Sequence, residues 1–293
     1  MLHIHFIVNP IAGSGRSCFS EALLLDYFEA VKYTITTKYS DFKGHAIDLT
    51  KASIKQQAHI IVACGGDGTI NEVAATLVGT SISLGIVPIG SGNGLATNLG
   101  IPKNIKKALN IIKNNQSTKI DSGYVNQQCF FSNSGFGFTA NVIKNYEAFQ
   151  KRTILCYLKA VLKSFLEFSK REQIIISIDG GLDLVNPFMI FISNSNVMGY
   201  HMSLTPKASL KDGLLDVMII PKISRFKMLF FGICMLIRKP HLLKEVTYYQ
   251  TNALTLIRKK GESFDAQIDG ESVGRMDSEL TVSVKRDSLN VLV

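Results

Sequence analysis

The sequence predicts an α/β domain built on a mostly parallel sheet, followed by a β-rich, antiparallel, sandwich-like domain. Two observations carry this expectation. In the first hundred residues an apolar strand, a glycine-bearing loop and a helix recur in that order, with strands at Leu2–Val8, His59–Ala63 and Ile82–Pro88. Strands that alternate with helices assemble into parallel sheets. After about Gly123 the chain changes to short alternating segments, "QIIISID", "PFMIFIS", "LLDVMII", "EVTYYQT" and "ELTVSVKR", a pattern of antiparallel strands. No low-complexity linker divides the two halves, and the expected domains are 1–123 and 124–293.

Taken in order, the first strand runs into "NPIAGSGR", the second into "GGDGT" and the third into "IGSGNGLA". In open parallel sheets ligands bind beyond the carboxyl ends of the strands, where these loops would gather. Glycine lets backbone amides approach an anion closely, and a helix start adds partial positive charge. After Thr69 the residues Ile70, Val73, Ala74, Leu77 and Val78 fall at helical spacing, one stripe for packing on a sheet. A tight turn capped by Thr69 would explain "GGDGT" without any ligand; the two companion loops favour a phosphate. The Walker lysine and the protein-kinase signatures are absent, so a nucleotide here is held by another design. In the second half two helical insertions are expected, Thr153–Phe168 and Arg225–Ile237.

Composition narrows the class. The 293 residues are 46% hydrophobic and 19% charged, enough apolar content for real cores and too little charge for a long disordered tract. A formal charge of +9 favours an anionic partner. Nucleic acid has only that charge in its favour, since no recognisable binding module is present. Five scattered cysteines without C-x-x-C spacing fit a reduced, cytoplasmic protein. The longest apolar run, Met228–Ile237, is about half of what a bilayer requires. Flanked by Lys222, Arg225, Lys227, Arg238 and Lys239, it reads either as a surface dipping into anionic lipid or as a core helix burying Phe226, Leu229, Phe230, Ile233 and Ile237. Lys151, Arg152, Lys159 and Lys163 add to a basic cleft mouth or form a plain polar face.

An acid inside a phosphate loop needs a reason. Asp67 in "GGDGT" would repel phosphate unless it serves a metal-bound water or orients an attacking hydroxyl. Further carboxylates are then expected nearby, and candidates are Asp121 in "KIDSG", Asp212 and Asp216 in "LKDGLLDV", and Asp269 and Glu271 in "QIDGES". Asp-Gly pairs are also ordinary turn residues.

The motifs "NPIAG", "GGDGTINEV", "PIGSGNGLA", "KIDSG", "NSGFGFTANV", "LTPKASLKDGLLDV" and "QIDGES", in this order from Asn9 to Glu271, resemble the diacylglycerol kinase catalytic-domain superfamily of bacterial lipid kinases and sphingosine and ceramide kinases. The resemblance implies transfer of phosphate from ATP to a lipid hydroxyl, with ATP on the first domain and an active site in the interdomain cleft. It implies nucleotide contacts at Asn9, Pro10, Gly13, Gly65, Gly66, Asp67, Gly68, Thr69, Asn71, Glu72, Ser91, Gly92 and Asn93, joined by Ser40 or Thr37 before "GHA". Asp212 resembles the Mg²⁺ ligand, beside the carbonyls of Ser209 and Leu214, and Asp121 would bind through water. Glu271 or Asp269 resembles the general base, with Asp67 a third candidate. Gly94 stands where the family commonly has an acid, and Thr139 and Asn141 lie where sphingosine kinases use acids for the substrate amine, which favours a neutral lipid alcohol. The partners implied are ATP, lipid and a peripherally met anionic membrane, with a homodimer allowed. Two other readings stay open: an NAD kinase-like phosphotransferase, since "GGDGT" is shared with NAD kinases, and a non-catalytic lipid- or nucleotide-binding regulator.

Overall fold

The computed structural model describes residues 1–13, 21–90, 92–149, 153–167, 173–178, 180–197, 203–221, 223–236, 239–258 and 261–293. They form two compact units, Met1–Asp121 with Arg286–Val293, and Ser122–Lys285.

In the first unit, strands β1 (Leu2–Val8), β2 (Tyr33–Tyr39), β3 (Ile60–Gly65) and β4 (Ser83–Pro88) lie in the order β2-β1-β3-β4, all parallel. The end of the chain's last strand adds beside β4, again parallel, with Asn290 opposite Ser83. Helices α1 (Glu21–Tyr27), α2 (His45–Lys55), α3 (Asp67–Leu77), α4 (Gly94–Asn98) and α5 (Ile105–Asn114) make the connections. All of β3 is buried, which is why "IIVAC" is apolar without alternation. The stripe expected after Thr69 packs inward as Ile70, Val73, Ala74 and Leu77, and Val78 ends α3 as its C-cap. The strand order reverses between β1 and β3, because the chain leaves β1 for β2 on one side and returns to β3 on the other. Such a switch point opens a crevice at the strands' carboxyl ends.

His5 in the middle of β1 is only 4% exposed, and burial, followed by the charges of Lys38 and His3, holds its pKa down at about 4. Between that value and the ordinary one near 6.5, the unfolded chain binds a proton that the folded chain refuses. Stability is therefore lost as pH falls through this window. His5→Gln is expected to flatten that part of a melting temperature against pH curve. An unchanged slope would contradict the assignment.

In the second unit, β5 (Ser117–Val125), whose first half belongs to the first unit, forms a hairpin with β6 (Gln128–Phe130). Then follow β7 (Asn133–Gly137), α6 (Phe138–Glu147), α7 (Ile154–Glu167), β8 (Ile174–Ile178), β9 (Gly181–Val185), β10 (Pro187–Ser193), β11 (Leu215–Pro221), α8 (Arg225–Leu236), β12 (Thr247–Thr251), β13 (Ala253–Arg258), β14 (Phe264–Ile268), β15 (Glu271–Met276) and β16 (Glu279–Leu292). One sheet runs β12-β11-β10-β7-β14-β15, antiparallel throughout. The other is antiparallel in the order β16-β13-β8-β9. Their facing side chains, among them Phe136, Ile176, Ile190, Val217, Leu256 and Leu280, form a sandwich core.

Strand β11 has apolar residues on both faces. Leu215, Val217 and Ile219 enter the sandwich core, while Met218 and Ile220 meet Phe231 of α8 and Leu243 on the outer face. Helix α8 therefore covers the sheet with Met228, Phe231 and Cys234. The stripe expected there is rotated, for Phe226 and Phe230 point outward. The side chains of Leu229 and Ile233 are not described, and Lys151, Arg152, Lys222, Ile237 and Arg238 lie outside the described residues. Helix α7 packs on α6 through Ala160, Val142 and Tyr146, with Tyr157 edge-on to Tyr146. No helix among the described residues is long and apolar enough to cross a membrane.

Candidate functional site

The three glycine loops of the first unit meet at its switch point. Asn9, just past β1, donates its backbone N–H to the carbonyl of Cys64 at 2.9 Å. Its side chain accepts from the amide of Ile11 at 3.1 Å and donates to Thr69 Oγ1 at 3.2 Å, tying the first loop to the start of α3. Gly13 has φ +72°, and a Cβ there would stand 2.7 Å from the carbonyl oxygen of Ile89. The second and third loops touch backbone to backbone, since a Cβ on Gly90 would lie 2.5 Å from Gly66 Cα. Glycine is what lets these loops approach, and the first-turn amides of α3, which no intrahelical carbonyl can accept, face the same edge.

Asp67 is the first residue of α3, and its carboxylate reaches across to the third loop. Oδ2 accepts from Asn93 N–H at 2.8 Å and Oδ1 from Gly94 N–H at 2.5 Å, at the opening of α4. The acid in the glycine loop thus binds backbone amides of the next loop. Asn93 is buried in the left-handed region at φ 56° and donates to the carbonyl of Gly90 at 2.6 Å. Glu72 accepts from Gly44 N–H at 2.9 Å, which fixes the loop after β2. Ser40 is buried at the end of β2, where its N–H donates to the Val8 carbonyl at 2.9 Å. Pro10 is exposed, Gly65 is buried, and Gly68, Asn71 and Gly92 are half-buried around the same loops. Ser91 lies outside the described residues. Asp121 is buried on β5, where it accepts from the amide of Asp287 at 2.8 Å.

In the second unit Asp212 sits exposed in a turn where its Oδ1 accepts from Leu214 N–H at 3.0 Å. Ser209 is half-buried in the same segment and accepts from Lys211 N–H at 3.2 Å. Asp216 lies inside, with Gln250 Nε2 at 3.4 Å from both of its oxygens. Burial pushes its carboxyl above the ordinary range, the Gln250 hydrogen bond pulls it back, and the charge of Asp212 adds to the rise. Among the described residues no group of three or more His, Cys, Asp or Glu is placed to hold a metal ion. One free carboxylate edge with waters and substrate phosphates is the usual arrangement for Mg²⁺, and Asp212 offers such an edge.

Asp269 adopts φ 49° in the turn between β14 and β15. Its Oδ2 accepts from Phe131 N–H at 2.9 Å, and its Oδ1 accepts from Ser132 N–H at 2.7 Å and Asn133 N–H at 3.0 Å. Glu271 opens β15 and is half-buried. The next amide, of Ser272, donates to Glu147 Oε1 at 2.9 Å, so the end of α6 steadies this strand. Glu147 and Gln250 are supporting residues that the sequence reading passed over, because their partners lie far along the chain. An apolar cavity of about 230 Å³ opens within this unit, lined by Ile176, Ile178, Val185, Ile219 and Tyr249, with Asp183 at its wall.

Comparison with known proteins agrees with this architecture. Residues 3–125 match the family model of the diacylglycerol kinase catalytic domain, and 132–293 match that of a YegS C-terminal NAD kinase beta sandwich-like domain. A protein named diacylglycerol kinase from Bacillus subtilis (strain 168) is 31% identical over 287 residues, covering 95% of this chain and 93% of the relative. One of the same name from Staphylococcus aureus (strain Newman) is 29% identical over 223 residues, covering 74% of this chain and 70% of the relative. A solved structure named as a diacylglycerol kinase from Bacillus anthracis str. Sterne shares the fold at a TM-score of 0.72 and 16% identity, covering 99% of this chain and 96% of that one.

Proposed function

Because the chain belongs to the diacylglycerol kinase catalytic-domain superfamily, we propose that it transfers the γ-phosphoryl group of Mg-ATP to the hydroxyl of a diacylglycerol-like, neutral lipid alcohol at an anionic membrane surface. The observation that carries this reading is the edge where three glycine loops meet at the β1/β3 switch point, locked by Asn9–Thr69 and by Asp67 on Asn93 and Gly94. Amides on that edge would hold the phosphates. Asp212, with the carbonyls of Ser209 and Leu214, would hold Mg²⁺, which when bound neutralises charge on the transferred phosphoryl group. Asp121 would act on the ion through water.

Three carboxylates are candidates for the general base. Asp67 and Asp269 each spend both oxygens on backbone amides. They are assigned here as positioning residues, Asp67 for the third loop and Asp269 for the turn that presents Glu271. Glu271, which resembles the family's general base in "QIDGES", is proposed to take the proton of the attacking lipid hydroxyl. The cavity between the sheets suits an acyl segment, being apolar with one acid at its wall.

Asp212→Ala is expected to lower kcat/KM for Mg-ATP by about 10²-fold and to raise the Mg²⁺ concentration needed for half-maximal rate. Unchanged Mg²⁺ dependence would remove Asp212 from the site. The match of 132–293 to an NAD kinase-like sandwich supports a second reading, phosphorylation of NAD. Incubation with NAD and ATP distinguishes the two, since formation of NADP would favour it. ATP binding without turnover on either acceptor would favour a non-catalytic regulator.

A further inference from the structure

Glu271 follows a two-residue hairpin loop. Asp269 and Gly270, at φ 49° and 80°, both take the left-handed conformation that a type I′ turn requires, and Ile268 pairs with Glu271 across it. The backbone amides on either side of Glu271 are both held by side chains. Gly270 N–H donates to Gln267 Oε1 at 2.9 Å, and Ser272 N–H donates to Glu147 Oε1 at 2.9 Å. Gln267 is only 2% exposed, and its nitrogen donates to Asn133 Oδ1 on β7 at 2.8 Å. Asn133 Nδ2 donates in turn to Ser132 Oγ at 2.9 Å, and Ser132 Oγ to the carbonyl of Val197 at 3.3 Å. The hydrogen bonds therefore run one way, from Gly270 through Gln267, Asn133 and Ser132 to Val197. Each middle member must accept on one side and donate on the other, which a carboxamide or hydroxyl does and a carboxylate does not. Gly135 lies opposite Gln267 in the sheet, and a Cβ there would stand 2.9 Å from Gln267 Nε2.

We infer that Gln267 and Glu147 are positioning residues, a clamp on the backbone of Glu271 that fixes the direction of its carboxylate. The inference rests on the reading of Glu271 as the general base. Strand β15 is the edge of its sheet, so one row of its amides has no neighbouring strand to accept from it. Glu147, at the end of α6, supplies an acceptor for one of them. On the other side of Glu271, Gln267 ties the turn to β7 through Asn133. Asp269 has a different part. Its three bonds to the amides of Phe131, Ser132 and Asn133 set where the hairpin tip sits, while the clamp sets how Glu271 leaves it. A base acts only within hydrogen-bond reach of the proton it takes, and a misplacement of about 1 Å costs about 10²-fold in rate. Two held amides around one carboxylate are therefore a kinetic device as well as a structural one.

The experiment is a double-mutant cycle on the full chain, with a water-soluble, short-chain diacylglycerol as acceptor. The melting temperature, kcat and KM for Mg-ATP are measured for wild type, Gln267→Met, Glu271→Gln and the double variant. Methionine keeps the length of Gln267 and removes both of its side-chain hydrogen bonds. Gln267→Met is expected to lower kcat about 10–10²-fold and to leave KM for Mg-ATP within about twofold. In the Glu271→Gln background the same substitution is expected to change kcat by less than about twofold, because the carboxylate it positions is gone. Glu147 is exposed, so Glu147→Ala tests the other arm of the clamp at close to the wild-type melting temperature. It is expected to lower kcat about 10-fold, and Glu147→Gln, which keeps an accepting oxygen, to restore it. Should Gln267→Met fail to fold, the Glu147 pair decides. Wild-type kcat in Glu147→Ala, or an equal loss from Gln267→Met in both backgrounds, would overturn the clamp while leaving Glu271 as the base. Wild-type kcat in Glu271→Gln, or no turnover by wild type, would overturn the underlying reading and the clamp with it.

Discussion

Glu271→Gln is expected to lower kcat for lipid phosphorylation by about 10²–10⁴-fold while leaving Mg-ATP affinity within about twofold. The amide keeps the size of the half-buried side chain at the start of β15 and removes the carboxylate that would accept a proton. A loss confined to kcat is what a base used in the transition state produces, because uniform binding would change KM instead. Single-turnover rates with saturating ATP, together with a direct ATP-binding titration, separate the two. If kcat is retained, Glu271 is not the base. If ATP binding is lost along with kcat, its role is structural.

Asp269→Ala is expected to act on the fold. It removes the acceptor for the amides of Phe131, Ser132 and Asn133, of which Phe131 and Asn133 are buried residues. Orphaned amides cost about 1–3 kcal/mol each, and alanine is also disfavoured at φ 49°, so a loss of about 3 kcal/mol or more follows. The melting temperature should fall by about 6–12 °C. Asp269→Asn keeps one accepting oxygen and tolerates the left-handed backbone, and it should recover part of that fall. A melting temperature unchanged in Asp269→Ala, with catalysis lost, would transfer the role of base from Glu271 to Asp269.

Much of the first unit was legible because each strand is followed by its glycine loop. Leu2–Val8 has the same bounds in the structure, and the stripe from Ile70 to Leu77 packs inward as its period requires. What Asp67 binds could not be read, since its acceptor role depends on a loop that folds back from Asn93 and Gly94. Alternation in "ELTVSVKR" marks a strand but not its neighbours. In the structure that strand continues to Leu292 and its far end lies parallel to β4. Helix α6 gave a weak signal, because its buried positions are only Ala140, Val142 and Tyr146 among polar residues. In α7 the period was plain and the direction was not. A rule that apolar residues face inward would turn the exposed Leu155, Leu158, Leu162 and Leu166 toward α6, where Ala160 and Ser164 are found.

The central claim is the transfer of phosphate from Mg-ATP to a lipid hydroxyl. Its most direct test is incubation of the purified chain with a lipid extract, MgCl₂ and γ-labelled ATP, followed by mass-spectrometric identification of the labelled product. A phosphorylated neutral lipid, formed by wild type and lost in Glu271→Gln, is the predicted result. The contradicting result is a chain that binds Mg-ATP and labels no lipid.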